Sequence, residues 1–281
     1  MLKQRVITAV ALLIILLPAL FYPSPEPFCA VALILIAAGS WEWGRLNGYG
    51  QVGSLATAFL VSTACLIAWV IGLPIMKIPV LWAVIGVSWI FLGILLLYRG
   101  VMRWSQIPSA VRLWAGSFIL CLAWLAIAQA RILGINFLLS VLVLVWAADI
   151  SAYFAGRTFG GKFSSGKLAP SISPGKTWEG VWGGLIGVFA VAFIWRIFEV
   201  RLESISPSFY SYLADRGTSF LIAGVIIMVA MSVVGDLVES LIKRSAGVKD
   251  SSALLPGHGG VLDRVDALLP ALPLAMMLIS I

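Results

Sequence analysis

Nine apolar stretches, most of them long enough to cross a bilayer, constrain this chain more than any other feature. They run over Val6–Tyr22, Cys29–Trp43, Leu55–Leu73, Ile78–Tyr98, Val111–Ala130, Ile132–Ala155, Trp178–Phe198, Ser219–Ile242 and Val261–Ile281. A spanning helix needs roughly 20 mostly apolar residues. Only 11% of the 281 residues are charged, against roughly 25% in a soluble domain, which leaves too little polar surface to cover a water-soluble globule. High hydrophobicity also excludes disorder. Cys29, Cys65 and Cys121 each sit inside an apolar stretch, unlike the paired, loop-placed cysteines of a disulfide framework. The expectation is an all-α polytopic integral membrane bundle of about nine transmembrane helices, forming one integrated membrane domain. Residues 1–130 would supply the first five spans. Residues 131–281 would supply the rest, with two long loops at 156–179 and 243–262.

Charge sets the expected orientation. Nine spans place the N-terminus and loops 2–3, 4–5, 6–7 and 8–9 on one side. That side holds all but five (Lys77, Arg131, Arg196, Arg201 and Arg216) of the 19 basic residues. Basic loops stay cytoplasmic, so the N-terminus is expected inside, in the inner (plasma) membrane. The first stretch follows Lys3 and Arg5 as a signal peptide would, but Pro-Ser-Pro-Glu-Pro comes next in place of a small-x-small cleavage site. It reads as a span.

Both long basic-side loops are rich in Gly, Ser and Lys. Around the second, Asp236 and Glu239 lie three residues apart at the end of span 8, and Asp263 and Asp266 three apart at the start of span 9. Residues at that spacing share a helix face. A carboxylate within a span costs roughly 2.5–3.5 kcal/mol and needs a partner. One reading pairs these acids with Lys243, Arg244, Lys249 and Arg264 as helix-end salt bridges. The other uses them as hard oxygen ligands for Mg²⁺ bound together with a polyphosphate, as one ion or two. His258, the single histidine, stands among Gly257, Gly259 and Gly260, where backbone N–H groups can approach a phosphate. In loop 6–7, Gly161-Lys-Phe-Ser-Ser-Gly166-Lys167 approaches the spacing of a P-loop, but Leu168 replaces the metal-binding Ser/Thr and a spanning helix precedes it. A P-loop NTPase is rejected, while Lys162, Lys167 and Lys176 remain candidate phosphate contacts. Spans 3 to 5 carry no charge away from their ends, which argues against a transporter with midplane ionisable residues.

The run from Ser240 through Lys243-Arg244, Lys249-Asp250, Pro256-Gly-His258-Gly259-Gly260 and Asp263-Arg264-Val-Asp266 closely resembles the signature of the phosphatidate cytidylyltransferases, or CDP-diacylglycerol synthases. Gly235-Asp236-Leu-Val-Glu239 and Ser173-Pro-Gly-Lys-Thr-Trp-Glu179-Gly are also similar to that family. The resemblance implies the reaction of CTP with phosphatidate to give CDP-diacylglycerol and pyrophosphate, dependent on Mg²⁺, at the cytoplasmic membrane face. On this footing Asp236, Asp263, Lys249 and Arg264 are the expected catalytic residues, and Asp236, Asp263 and Asp266 the expected metal ligands. Lys167, Lys176, Lys243, Arg244, His258, Gly259 and Gly260 would bind substrate. The expected partners are CTP, phosphatidate and membrane lipids. A homodimer is compatible with the sequence, and nucleic acid is not expected.

Overall fold

The computed structural model describes residues 2–164, 166–202 and 206–281. Ser165, within the near-P-loop stretch, lies outside the described residues, as does the side chain of Lys3. Among the described residues, eight helices are long and apolar enough to cross a membrane: α1 (Leu2–Phe21), α2 (Glu26–Leu46), α3 (Gln51–Val70), α4 (Pro79–Trp104), α5 (Ser109–Leu133), α6 (Ile135–Phe159), α7 (Trp178–Arg201) and α9 (Thr218–Ser245). The short α8 (Phe209–Ala214) caps α9 at the end remote from the basic loops. The protein is a multi-pass, all-α membrane bundle. Gly100 inside α4 takes φ +73°, just past Tyr98, where the apolar stretch ends.

The ninth expected span is not a single helix. Residues 261–281 form α10 (Leu262–Val265) and then α11 (Leu268–Ser280). Thirteen residues of α11 reach about 20 Å, short of the roughly 30 Å hydrocarbon core. The break follows Asp266, and Pro270 cannot continue the ladder of N–H donors upstream. Pro270 through Leu278 are all buried, so α11 is enclosed by α4, α5 and α9 rather than facing lipid. Asp263 and Asp266 thus lie in a short turn outside the eight spans.

Two local features position the site. Gly180, Gly183, Gly184 and Gly187 on α7 face Ala148, Ser151, Ala152 and Ala155 on α6. A Cβ at Gly183 would stand 2.1 Å from that of Ala155. Small residues let membrane helices approach this closely, and the approach sets Asp149 of α6 beside the start of α7. Between the two helices the chain forms an antiparallel hairpin, β1 (Lys167–Ala169) and β2 (Ser173–Thr177), with Lys167 paired to Thr177. Ile172 at its turn is buried and pins the hairpin to the bundle. Thr177 caps α7, its Oγ1 accepting the Gly180 N–H at 3.1 Å. Glu179 receives the N–H groups of Phe163 and Ser164 and the Ser164 hydroxyl. The hairpin therefore leans against α9 instead of trailing into solvent.

Candidate active site

A cavity of about 510 Å³ opens where α6, β2, α7, α9 and α10 converge. Carboxylates come to its wall from three elements: Asp149 from α6, Asp236 from α9, and Asp263 and Asp266 from the α10 turn. Lys176, Arg157 and Arg264 share the wall, and Val229 and Val233 continue it down the apolar part of α9. The Lys176 ammonium lies 2.6 Å from Asp236 Oδ2, and the Ser240 hydroxyl donates to Asp236 Oδ1 at 3.3 Å. Arg157 is held by the Tyr153 hydroxyl at 3.1 Å.

Asp263 is held more tightly than Asp236. Its Oδ1 lies 2.6 Å from the Lys243 ammonium, which also pairs with Glu239. Its Oδ2 accepts the N–H of Gly260 at 2.7 Å and of Ser251 at 3.0 Å, with the Ser251 hydroxyl also at 3.0 Å. Burial works against the charged form, but Lys243 and the Gly260 N–H outweigh it and hold the Asp263 carboxyl below the ordinary carboxylate range. At Asp266 burial comes first and the Asp236 carboxylate second. Together they push its carboxyl up to about 7, against a pull from Lys243.

Of the residues singled out in the sequence, Asp236, Asp263, Asp266, Arg264 and Lys176 meet at one cavity. Lys243 stands behind Asp263 and realises the expected helix-end ion pairing. The rest are not part of the cavity wall. Lys167 and Lys249 are exposed. Arg244 donates to the Val248 carbonyl at the end of α9. The His258 carbonyl accepts from the Arg264 guanidinium, while its buried ring Nδ1 has no hydrogen-bond partner among the described residues. Gly259 takes φ +83°, and a Cβ there would stand 2.6 Å from Asp263 Oδ2.

Gly260 is constrained by approach rather than by φ. A Cβ on it would stand 2.0 Å from Ser251 Oγ and 2.4 Å from Glu42 Oε1. Gly260→Ala is expected to destabilise the protein by about 1–3 kcal/mol through overpacking, read as a lower thermal midpoint in detergent. An unchanged midpoint would mean that this turn is looser than described.

A divalent cation fits the donor chemistry, though not as a ready-made cluster. Among the described residues no three His, Cys, Asp or Glu side chains stand close enough together to hold a metal. The ammonium of Lys176 occupies Asp236, and that of Lys243 occupies Asp263. Mg²⁺, however, needs only one or two carboxylates and completes its shell with water and phosphate. The wall sets four carboxylates against three cationic side chains, so a triphosphate would enter a cavity with no surplus positive charge.

A family model described as "Cytidylyltransferase family" matches residues 3–281. The chain belongs to this family. It is therefore a nucleotidyltransferase, and the relatives agree. The cytidylyltransferase-family chain is 37% identical to a phosphatidate cytidylyltransferase of Pseudomonas aeruginosa, over 97% of its length and 95% of the relative's. It is 38% identical to that of Haemophilus influenzae, over 97% and 96%. A 144-residue match to that of Thermotoga maritima reaches 39% identity over about half of each chain, 51% and 48%.

Glu42, Ser251 and Ser252 stand outside the acidic pairs and the basic and glycine residues by which the sequence points to the site. Their sole sequence signal was a glutamate inside an otherwise apolar span, Cys29–Trp43.

Proposed function

We propose that the chain is a phosphatidate cytidylyltransferase of the inner membrane, transferring the cytidylyl group of CTP to phosphatidate at the cytoplasmic face with Mg²⁺. The reading is carried by a single cavity that combines phosphate-binding cations and cation-binding carboxylates with an apolar wall at one end of a membrane bundle. A soluble triphosphate and a membrane lipid phosphate can meet only in such a place.

The chemistry needs no protein nucleophile. An oxygen of the lipid phosphate attacks the α-phosphorus of CTP, a new P–O bond forms, the bond to the β-phosphoryl oxygen breaks, and pyrophosphate leaves. The protein's work is alignment and charge neutralisation. Lys176, Arg157 and Arg264 supply the cations that hold phosphoryl oxygens. Asp236 aims Lys176 into the cavity until a phosphate competes for it. Asp236 and Asp263, with Asp266, would hold Mg²⁺, which when bound neutralises and orders the phosphate oxygens.

The test uses CTP labelled at either the α- or the γ-phosphorus, with phosphatidate in detergent. Label from the α-position should enter the lipid phase and require Mg²⁺, and γ-label should leave as pyrophosphate. Lipid carrying γ-label would instead mean a kinase. In a parallel assay on the protein reconstituted in vesicles, label accumulated inside without chemistry would mean a transporter.

A further inference from the structure

We infer that Glu42, on α2 in the N-terminal part of the chain, is a positioning residue for catalysis: its carboxylate sets the 251–262 segment that leads directly into Asp263. For its activity readout this inference rests on the cytidylyltransferase reading above.

Glu42 has no exposed surface, and among the described residues no lysine or arginine forms an ion pair with it. A buried carboxylate without a cation is costly unless donors saturate it. Four donors do so, all from one distant segment. Oε1 accepts the Ser252 hydroxyl at 2.5 Å and the Val261 N–H at 2.9 Å. Oε2 accepts the Ser251 hydroxyl at 3.0 Å and the Leu262 N–H at 2.8 Å.

The same turn also serves Asp263. The Gly260 N–H goes to Asp263, and the next two N–H groups go to Glu42. Ser251 Oγ lies 3.0 Å from both Glu42 Oε2 and Asp263 Oδ2. A hydroxyl carries one proton, so it donates to one carboxylate at a time. Glu42 gives that proton a second acceptor, and Asp263 can turn toward the cavity without leaving a buried hydroxyl unsatisfied. Both oxygens of Glu42 are acceptors only. An amide at this position would set N–H against N–H or force a serine to turn.

The experiment compares the full-length protein with Glu42→Gln, Ser251→Ala, the double variant and Glu199→Gln. Glu199 is the control. It likewise accepts from several donors, Asn136 and the Ser208 and Ser211 groups, but at the far end of α7 from the cavity. Glu42→Gln should lower kcat about tenfold or more, since displacements near 1 Å reach about 10², with KM for phosphatidate within about twofold. The double variant should be no worse than the more damaged single variant, as expected for residues acting through one another. Trypsin should cut at the exposed Lys249 faster in Glu42→Gln than in the wild type. Glu199→Gln should lower the thermal midpoint and leave kcat in place.

Wild-type kcat and wild-type cleavage in Glu42→Gln would overturn the inference. So would a loss of activity that merely tracks the thermal midpoint, as in the Glu199 control. If the wild type itself made no lipid product, the activity reading would fail, and the trypsin comparison would still decide whether Glu42 sets the loop.

Discussion

Asp236→Asn is expected to cut CDP-diacylglycerol formation by at least about 10²-fold, the scale on which removal of one group preorganised for developing charge is felt, while the protein stays folded. The two halves of this expectation come from the same geometry. The Asp236 side chain is 30% exposed, and its ionic partner is Lys176, itself 25% exposed. Pairs this open contribute about 0–1 kcal/mol, so the thermal midpoint should scarcely move. The carboxylate nonetheless sits in the wall of the cavity, beside Asp266 and opposite Asp149 on α6, where charge decides what can bind. With an amide in its place, Lys176 loses its orienting partner and the site loses a hard anionic ligand. The concentration of Mg²⁺ that half-saturates activity should rise in parallel with the loss of kcat. Retention of more than a tenth of wild-type turnover, or a loss with unchanged Mg²⁺ dependence, would remove Asp236 from the proposed ligand set.

The sequence made the spans legible because a bilayer enforces length and apolarity residue by residue. It overextended the last one because Val261–Ile281 is apolar enough to span but carries Asp266, Pro270 and Pro273 where a long helix needs continuous backbone donors. The acidic pairs were legible from their cost within apolar stretches. Which of these acids face the cavity was not, because i, i+3 spacing assigns a helix face and not what the face meets. Asp236 lines the cavity while Glu239 turns behind it to Lys243. Lys176 was legible as a loop cation, but its partner was not, since only the hairpin pairing of β1 with β2 brings it against α9. A division of the chain near residue 130 also hid Glu42. Its four partners lie 209 to 220 residues away, a separation that no local pattern signals.

Asp263→Asn should be at least as damaging to turnover, but it should also loosen the fold, and pH separates the two effects. Either orientation of the amide fails. Turned one way, its NH₂ meets the Gly260 and Ser251 donors; turned the other, it meets the Lys243 ammonium. Breaking a buried ion pair costs 3–5 kcal/mol. Because Glu239 still faces Lys243, the loss should fall near the low end, about 3 kcal/mol, seen as a lower thermal midpoint at pH 7. The wild-type carboxyl is held below its ordinary value by Lys243 and the Gly260 N–H in spite of burial. Its stabilisation is therefore complete above the unfolded-state pKa of about 3.9 and disappears as pH falls through the lowered folded value. The gap in midpoint between wild type and variant should be constant near neutrality and should close in acid. A gap that persists unchanged into acid would mean that Asp263 stabilises the turn by its shape alone. Its charge would then have no hold on Lys243, and the electrostatic role given to it in the cavity would go with it.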